Sequence, residues 1–236
     1  MSDLASSTGN RIHLRQLRDG IKAELPIAVG VAPFGMIFGA LALAAGLPPL
    51  LAQAMSLIVF AGSAQFIGVQ LIGAATPAGI VLLTTFIINV RHVLYSASVG
   101  PFLTPLSTGW KWLLAYLLTD EAYAVAILHF RYDDDHESQH WYLLGAGLTL
   151  WAVWQASTAV GVFLGAQLPQ SWALDFMLPL TFIALVVPAL KHRADVAAAL
   201  VAGAVALVAA PLPHQLGLVA AALAGVSAGL LLDSRR

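Results

Sequence analysis

The sequence predicts an all-α protein in which about eight transmembrane helices form one polytopic bundle. Hydrophobic residues make up 59% of the 236 residues and charged residues only 10%, whereas a soluble domain carries about 25% charged residues. The mean hydropathy is +0.84, and the apolar residues occur in runs of about 20, the length that crosses a bilayer. Apolar surface of this extent cannot be buried in one protein core, so the composition indicates a membrane-embedded chain.

The charges and the lack of cysteine exclude several classes of function. The 11 basic and 12 acidic residues give a net charge of -1, without the basic face that a nucleic-acid partner requires. The absence of Cys excludes disulfides, thiolate metal sites and cysteine nucleophiles. The polar loop 131–140 holds carboxylates and imidazoles, but their spacing matches no metal-binding loop. We expect a solvated connector there, and no metal or cofactor.

Pro, Gly and charged residues divide the apolar sequence into eight predicted spans. They follow a basic N-terminal segment, 1–22, and lie at about residues 25–45, 50–72, 77–100, 111–130, 141–166, 171–190, 195–211 and 213–232. The first run is longer than the roughly 7 to 15 residues of a signal-peptide core, so we expect a retained span. The segment Pro211–Gln215 alone separates the last two spans. One long interrupted segment, and thus seven spans, remains the alternative.

The basic residues indicate the orientation of the spans. With eight spans and a cytoplasmic N-terminus, nine of the eleven basic residues lie on the cytoplasmic side, as the positive-inside rule requires. Arg91 lies within a span and Lys111 on the outer side. Seven spans would leave Arg235 and Arg236 outside. We therefore predict that both termini are cytoplasmic.

Residues 23–236 are predicted to form a single transmembrane domain, with halves at about 23–130 and 141–232 joined by the loop 131–140. A weak repeat relates the halves, because Phe34-Gly35, Gly39 and Leu47-Pro48 correspond to Val160-Gly161, Gly165 and Leu168-Pro169. Such duplication is common in transporters, but Gly, Leu and Pro are also common in membrane helices, so duplication and coincidence both stay open. The second half lacks intramembrane charges, and the chemistry should concentrate in the first.

The first span contains Pro33, Gly35 and Gly39. The Gly-xxx-Gly spacing allows another helix to approach closely, and Pro33 frees a carbonyl one turn back. These residues are candidates for a helix break or for helix packing.

The second span is interrupted by the polar and small residues of Phe60–Phe66. On one regular helix Ser63 and Gln65 would lie about 200° apart. A break at Gly62 would turn both inward and free backbone groups for an ion or a carboxylate. The alternative is small-residue packing. We expect Gly62, Ser63 and Gln65 to form an irregular segment that faces a cavity shared with Asn89.

The third span carries Asn89, Arg91 and His92 close to its middle, because Asn89 lies about 18 Å along the helix from Pro77. Polar and charged groups at that depth cost several kcal/mol unless they are paired, and usually mark a substrate or ion path. Asn89 and Arg91 are therefore candidate substrate-binding residues, together with Gly62, Ser63 and Gln65 of the second span. The pattern indicates a transport site.

The fourth span is interrupted by Thr119-Asp120-Glu121. Each carboxylate would cost roughly 2.5 to 3.5 kcal/mol at mid-membrane, so we expect Arg91 to pair with Asp120 or Glu121. With the titratable His92, the two acids are candidates for proton coupling. A purely structural ion pair between spans three and four is the alternative.

Taken in order, these motifs resemble the AzlC family, the large subunits of bacterial branched-chain amino acid exporters. The resemblance rests on Pro33-x-Gly35-x-x-x-Gly39, on Ser56 with Phe60–Phe66, on Asn89-x-Arg91-His92 with Tyr95, and on Thr119-Asp120-Glu121. It covers about residues 20–130, while the second half is similar in length and hydropathy only.

The resemblance implies an exporter of leucine, isoleucine, valine and often methionine, located in the bacterial inner membrane and driven by the proton motive force. It also implies a small AzlD-type membrane partner, and it leaves a homo-oligomer open. The alternatives are a passive channel, an exporter of another small amphipathic metabolite, a scaffold subunit that does not transport, and an intramembrane hydrolase that uses Ser63 and His92. We expect a transporter rather than an enzyme.

Overall fold

The computed structural model describes residues 2–132, 138–166, 190, 192–210 and 216–233, and every regular element within them is a helix. The all-α prediction is therefore confirmed for them. The chain divides into two compact units, Met1–Trp172 and Ala173–Arg236. Half of the predicted loop 131–140, residues 133–137, lies outside the described residues. Residues 171–189, nearly all of the predicted sixth span, also lie outside them.

The first unit contains eight α-helices among its described residues. They are α1 (Ser2–Ala44), α2 (Pro49–Val59), α3 (Gly62–Gly73), α4 (Ala78–Asn89), α5 (Arg91–Val99), α6 (Thr108–Leu117), α7 (Asp120–Tyr132) and α8 (Gln139–Gly165), with a short 3-10 helix, Gly100–Leu103, after α5. In the second unit, α9 (Arg193–Val208) and α10 (Leu216–Asp233) are described.

Three helices within the described ranges are long and apolar enough to cross a membrane: Arg11–Ala44, Ala78–Leu103 and Gln139–Gly165. The shorter apolar helices Pro49–Val59 and Ala220–Leu232 accompany them. Membrane-spanning capacity is thus present, while the count of eight spans stays a prediction.

The centre of the first unit is a close parallel pairing of α1 with α8. Gly20 lies against Tyr142 and Ala146, Gly35 against Trp154 and Ser157, and Gly39 against Thr158 and Gly161. The contacts advance along both helices in the same direction, which defines the parallel arrangement. Small residues on both sides allow the two backbones to approach.

The role of the first-span motif is visible in this pairing. α1 is one continuous helix through Pro33, and both Gly35 and Gly39 face α8. Of the two alternatives, the structure shows packing. Gly161 and Gly165, the second copy of the suspected repeat, face α1 in return. Parallel packing of the first helix of each half is the arrangement that duplication about an axis along the membrane normal would produce.

The second predicted span is broken, as expected, but at Phe60 and Ala61 rather than at Gly62. Phe60 adopts a left-handed conformation with φ 38° and ψ 47°, and Ala61 is extended. Gly62 is the first residue of α3, and Ser63 and Gln65 follow within that helix, so the prediction of an irregular segment at these three residues is wrong. The lack of a side chain at Gly62 serves packing instead, since a Cβ there would lie 3.2 Å from the Trp154 ring.

Two further irregularities lie in the third and fourth predicted spans. At Val90, between α4 and α5, the backbone stays right-handed, but Val90 N–H donates to Ile87 O, three residues back. Between α6 and α7 the chain turns at Leu118, and Thr119 Oγ1 then accepts the Ala122 N–H at 3.3 Å as the cap of α7. Helices α3, α5 and α7 therefore each begin inside a predicted span.

In the second unit α9 and α10 form an antiparallel pair. Gly225 lies against Ala198 and Ala202, and Gly217 lies against Ala209. The start of α9 is capped by a hydrogen bond of 2.9 Å from His192 N–H to Asp195 Oδ2. Residues 211–215, which join the helices, lie outside the described residues.

Candidate functional site

The centre of the candidate site is the guanidinium of Arg91. Its Nη1 lies 2.5 Å from Asp120 Oδ2, and its Nη2 donates a hydrogen bond of 2.8 Å to Ser63 Oγ. Arg91 is the first residue of α5, Asp120 is the first residue of α7, and Ser63 is the second residue of α3. One side chain thus joins the N-terminal ends of three helices. We call Ser63, Arg91 and Asp120 the Arg91 cluster.

Helix geometry explains why these residues meet. The start of a helix carries partial positive charge and unpaired backbone N–H groups, which favour a carboxylate in the first turn. Asp120 and Glu121 both occupy such positions in α7. Of the two acids proposed from the sequence as partners of Arg91, the structure places Asp120 in the ion pair.

The Arg91 cluster is accessible rather than sealed. The Arg91 side chain is 29% exposed and that of Asp120 is 41% exposed. Arg91 Nε is buried and has no hydrogen-bond partner among the described residues. The first unit therefore does not enclose the pair, and a ligand can reach both of its members.

Asn89 and His92 flank Arg91 along the chain. His92 Nδ1 lies 3.1 Å from the Asn89 carbonyl oxygen, and its ring meets Tyr95 edge to face at 5.7 Å. The side-chain oxygen of Asn89 is buried, and none of the described residues donates to it. Asn89 therefore offers an acceptor next to the Arg91 donors.

Gln65 supports the helix break from inside α3. Its side chain is fully buried, and Oε1 accepts the Ala61 N–H at 3.2 Å. Because the helix is broken here, the Ala61 N–H has no hydrogen bond within a helix, and Gln65 supplies its acceptor. Gln65 Nε2, in contrast, meets no acceptor within the described ranges, and an unsatisfied buried donor costs about 1–3 kcal/mol. The expected cavity shared by Ser63, Gln65 and Asn89 stays a prediction.

The broken end of α2 is held by residues that the sequence analysis did not identify. Tyr116 Oη donates a hydrogen bond of 2.5 Å to Leu57 O, and Trp151 Nε1 donates to Tyr116 Oη at 2.9 Å. Leu57 carries one of the last carbonyls of α2, which has no partner within its helix. α6 and α8 thus stabilise the break.

A polar contact between α2 and α8 was also missed. Gln53 Nε2 donates to Gln155 Oε1 at 2.8 Å, Gln155 Nε2 donates to Ser56 O at 3.2 Å, and the Ser56 and Thr158 hydroxyls lie 3.2 Å apart. The spacing of three between Gln155 and Thr158 on one helix face was the available signal. This contact connects the second half of the chain to the helix that ends at the break.

A further missed residue is Glu24, an acid of α1 that is completely buried. Its position directly before the first predicted apolar span made it look like the end of the polar N-terminal segment. The buried face of α1 runs through Gln16, Gly20, Glu24 and Ala28, a spacing of four that marks one face of a helix.

The arrangement combines a cation, a carboxylate and unsatisfied polar atoms, and its Arg91 lies in Ala78–Leu103, a helix that can cross a membrane. Such a set can bind a small ligand that carries both charges, because each charge finds a partner. Within the described residues there is no group of three His, Asp or Glu that could hold a metal ion.

Comparison with known proteins places the whole candidate site inside a recognised family region. The family model described as "AzlC protein" matches residues 26–168. Ser63, Gln65, Asn89, Arg91 and Asp120 all lie within that range. No solved structure matches this chain significantly.

Curated relatives extend over most of the chain. The inner membrane protein YgaZ of Escherichia coli is 33% identical over 196 residues, which are 80% of this chain and 79% of that protein. An uncharacterized membrane protein of Archaeoglobus fulgidus is also 33% identical, over 80% of this chain and 83% of that protein. A Bacillus subtilis protein named branched-chain amino acid transport protein AzlC is 26% identical, over 70% of this chain and 65% of that protein.

Proposed function

The chain belongs to the AzlC family, and on that premise we propose that it is the large subunit of a transporter that exports branched-chain amino acids from the cytoplasm. The observation that carries the proposal is the Arg91–Asp120 ion pair, which is partly accessible and whose Arg91 lies in Ala78–Leu103, a helix able to span a membrane. The name of the Bacillus subtilis relative supports the substrate class.

The ion pair suits a zwitterion for an electrostatic reason. A zwitterionic amino acid can insert between the two side chains, with its carboxylate on Arg91 and its ammonium on Asp120. Every charge then stays compensated, so the exchange avoids the large cost of an unpaired charge in a low-dielectric site. The guanidinium has five N–H donors, and its Nε is unpaired among the described residues.

The remaining polar groups would complete the binding site. Asn89 Oδ1 could accept from the ammonium, and Gln65 Nε2 could donate to the carboxylate. We assign the aliphatic side chain of the substrate to the apolar residues at the helix break, among them Phe60 and Phe66, which are now buried against Tyr116 and Phe38. Substrate entry would displace one of these aromatic contacts.

Export direction, proton coupling and the partner are further parts of the proposal. We assign coupling to His92, Asp120 and Glu121, because titratable groups beside a binding site can change protonation as the ligand binds. A small AzlD-type subunit is expected to complete the transporter in the inner membrane.

The decisive experiment is efflux of labelled leucine from vesicles that contain the chain with and without its AzlD-type partner. We expect saturable efflux that requires both chains and collapses when a protonophore is added. Efflux that increases linearly with leucine and ignores the protonophore would favour a passive channel. No flux of leucine, isoleucine, valine or methionine from the two-chain vesicles would reject the proposed substrate class.

Replacing Gln65 with Ala should reduce leucine efflux by about 5- to 150-fold, the equivalent of one hydrogen bond of about 1–3 kcal/mol. Asn89→Ala should have a similar effect. The matched control is Gln70→Ala in the same helix, because Gln70 is exposed and should not contribute. Initial efflux rates are compared at equal amounts of membrane-inserted protein. Normal efflux in both Gln65→Ala and Asn89→Ala would assign these residues to packing.

The proposed orientation predicts that Ser234→Cys is labelled only after cells are opened, whereas Ser107→Cys reacts with an impermeant maleimide from outside. The chain has no native Cys to remove. Labelling of Ser234→Cys in intact cells would show that the C-terminus is external and would contradict the eight-span arrangement.

A further inference from the structure

Glu24 is a carboxyl group in an unusual position. Its side chain is completely buried within the first unit. Neither Oε1 nor Oε2 has a hydrogen-bond partner among the described residues. Native proteins almost always pair buried polar atoms, so two unpaired oxygens on one carboxyl require an explanation.

Among the described residues, the helices packed on α1 supply no hydrogen-bond partner to Glu24. The main neighbours of α1 are α8, α3, α7 and α2. Neither α2 nor α3 contains a titratable residue. The titratable and charged residues of α8 include His140 and Tyr142, and those of α7 include Asp120, Glu121, Tyr123, His129 and Arg131. Of these, Glu121 lies close enough for its charge to act on Glu24, and His129 stacks on Tyr142 at 3.7 Å between ring centroids. Tyr142 is also close enough to Glu24 for the charge of an ionised Glu24 to act on the Tyr142 hydroxyl.

Arg91 is not placed to neutralise Glu24. Its Nη1 and Nη2 already contact Asp120 and Ser63. An ionised carboxylate buried without a cation or hydrogen bonds would cost far more than the free energy that holds a protein folded. A buried carboxyl in this position instead keeps its proton.

We propose that Glu24 is a proton-binding site, which is protonated in the described conformation and releases its proton to water when α1 and α7 separate. In that step the carboxyl O–H bond breaks, the proton passes to water, and the carboxylate that remains gains solvent. Water then supplies the hydrogen bonds that the closed packing does not.

The position of Glu121 connects this site to the Arg91 cluster. Glu121 follows Asp120 in the first turn of α7, so a movement of α7 that accompanies exchange of the Arg91–Asp120 pair for a ligand would also move the acid that faces Glu24. Proton release at Glu24 would then accompany ligand binding. This coupling rests on the proposed transport function, whereas the protonation of Glu24 does not.

The protonation is tested by infrared spectroscopy of the purified chain in lipid nanodiscs at neutral pH, without substrate. A protonated carboxylic acid has a carbonyl stretch that shifts in D₂O. We expect Glu24→Gln to lose this band and the matched variant Asp19→Asn to keep it, since Asp19 is an exposed acid of the same helix with ion pairs to Arg15 and Lys22. Glutamine copies the shape of protonated glutamate, so an unchanged band or an unfolded Glu24→Gln protein would overturn the proposal.

The coupling is tested in two-chain vesicles with labelled leucine. Glu24→Gln should abolish efflux driven by a proton gradient while it preserves leucine exchange at equal pH, since exchange needs no net proton transfer. The coupling would be contradicted if Glu24→Gln lost gradient-driven efflux and exchange equally. It would also be contradicted if the variant kept both activities. If the unaltered chain moves no leucine but the infrared band depends on Glu24, the proposed function fails and the proton site stands.

Discussion

Asp120→Asn is expected to reduce leucine efflux by about 10- to 150-fold, which corresponds to a charge-assisted hydrogen bond of about 1.5–3 kcal/mol. The substitution keeps the shape of the side chain but removes the negative charge that faces Arg91 Nη1 at 2.5 Å. It therefore removes both the partner of Arg91 and the proposed partner of the substrate ammonium. Initial efflux rates from vesicles with matched protein amounts measure the effect.

The matched control is Asp19→Asn, which removes an acid from an ion pair of the same chemistry on the surface of α1. Arg15 Nε and Asp19 Oδ2 lie 3.7 Å apart, with the side chains 82% and 43% exposed. Exposed pairs of this kind contribute about 0–1 kcal/mol, so efflux should stay near that of the unaltered chain. Equal efflux from Asp120→Asn and Asp19→Asn would remove Asp120 from the site.

The same pair predicts a non-additive effect on folding. Arg91→Gln leaves the Asp120 carboxylate without its cation, and Asp120→Asn leaves the Arg91 guanidinium without its anion. Each single substitution should therefore lower the yield of folded protein. The double substitution should be milder than the sum, because the penalty comes mainly from an unpaired charge. Size-exclusion yields after detergent extraction provide the measurement, and strictly additive losses would argue against the pairing.

Gly161→Ala is expected to be the most damaging single-methyl change in the first unit. The added Cβ would lie closer than 3.0 Å to backbone atoms of Met36, and neither backbone can move aside without separating α1 from α8. Overpacking of this kind costs about 1–3 kcal/mol, occasionally more. We expect a lower melting temperature in detergent and a larger aggregated fraction.

Gly30→Ala is the control for Gly161→Ala, because it adds the same methyl group to α1 where nothing lies within 4 Å. Alanine is favoured over glycine in a helix by about 0.8–1.0 kcal/mol, so this variant should be unchanged or slightly more stable. If Gly161→Ala is tolerated as well as Gly30→Ala, the close parallel contact of α1 and α8 is wrong.

The Arg91–acid pairing was predictable because a charge within an apolar run needs a partner wherever the fold places it. The sequence could not predict that Asp120 rather than Glu121 is the partner. The two residues are adjacent, and only the position of the first turn of α7 decides between them. The hydrogen bond from Arg91 to Ser63 could not be predicted either. It depends on a break in the second span that lies at Phe60, a residue with no intrinsic preference for positive φ.

The sequence by itself determined the helical, lipid-compatible character of the chain and the polar positions that need partners. Both follow from composition and from the cost of desolvating single groups, which are local properties. The tertiary structure alone decided which partners meet. Arg91 joins residues 28 and 29 positions away, and α2 meets α8 at a separation of 102. These contacts depend on how helices are broken and packed, and the same packing left Glu24 buried without a partner among the described residues.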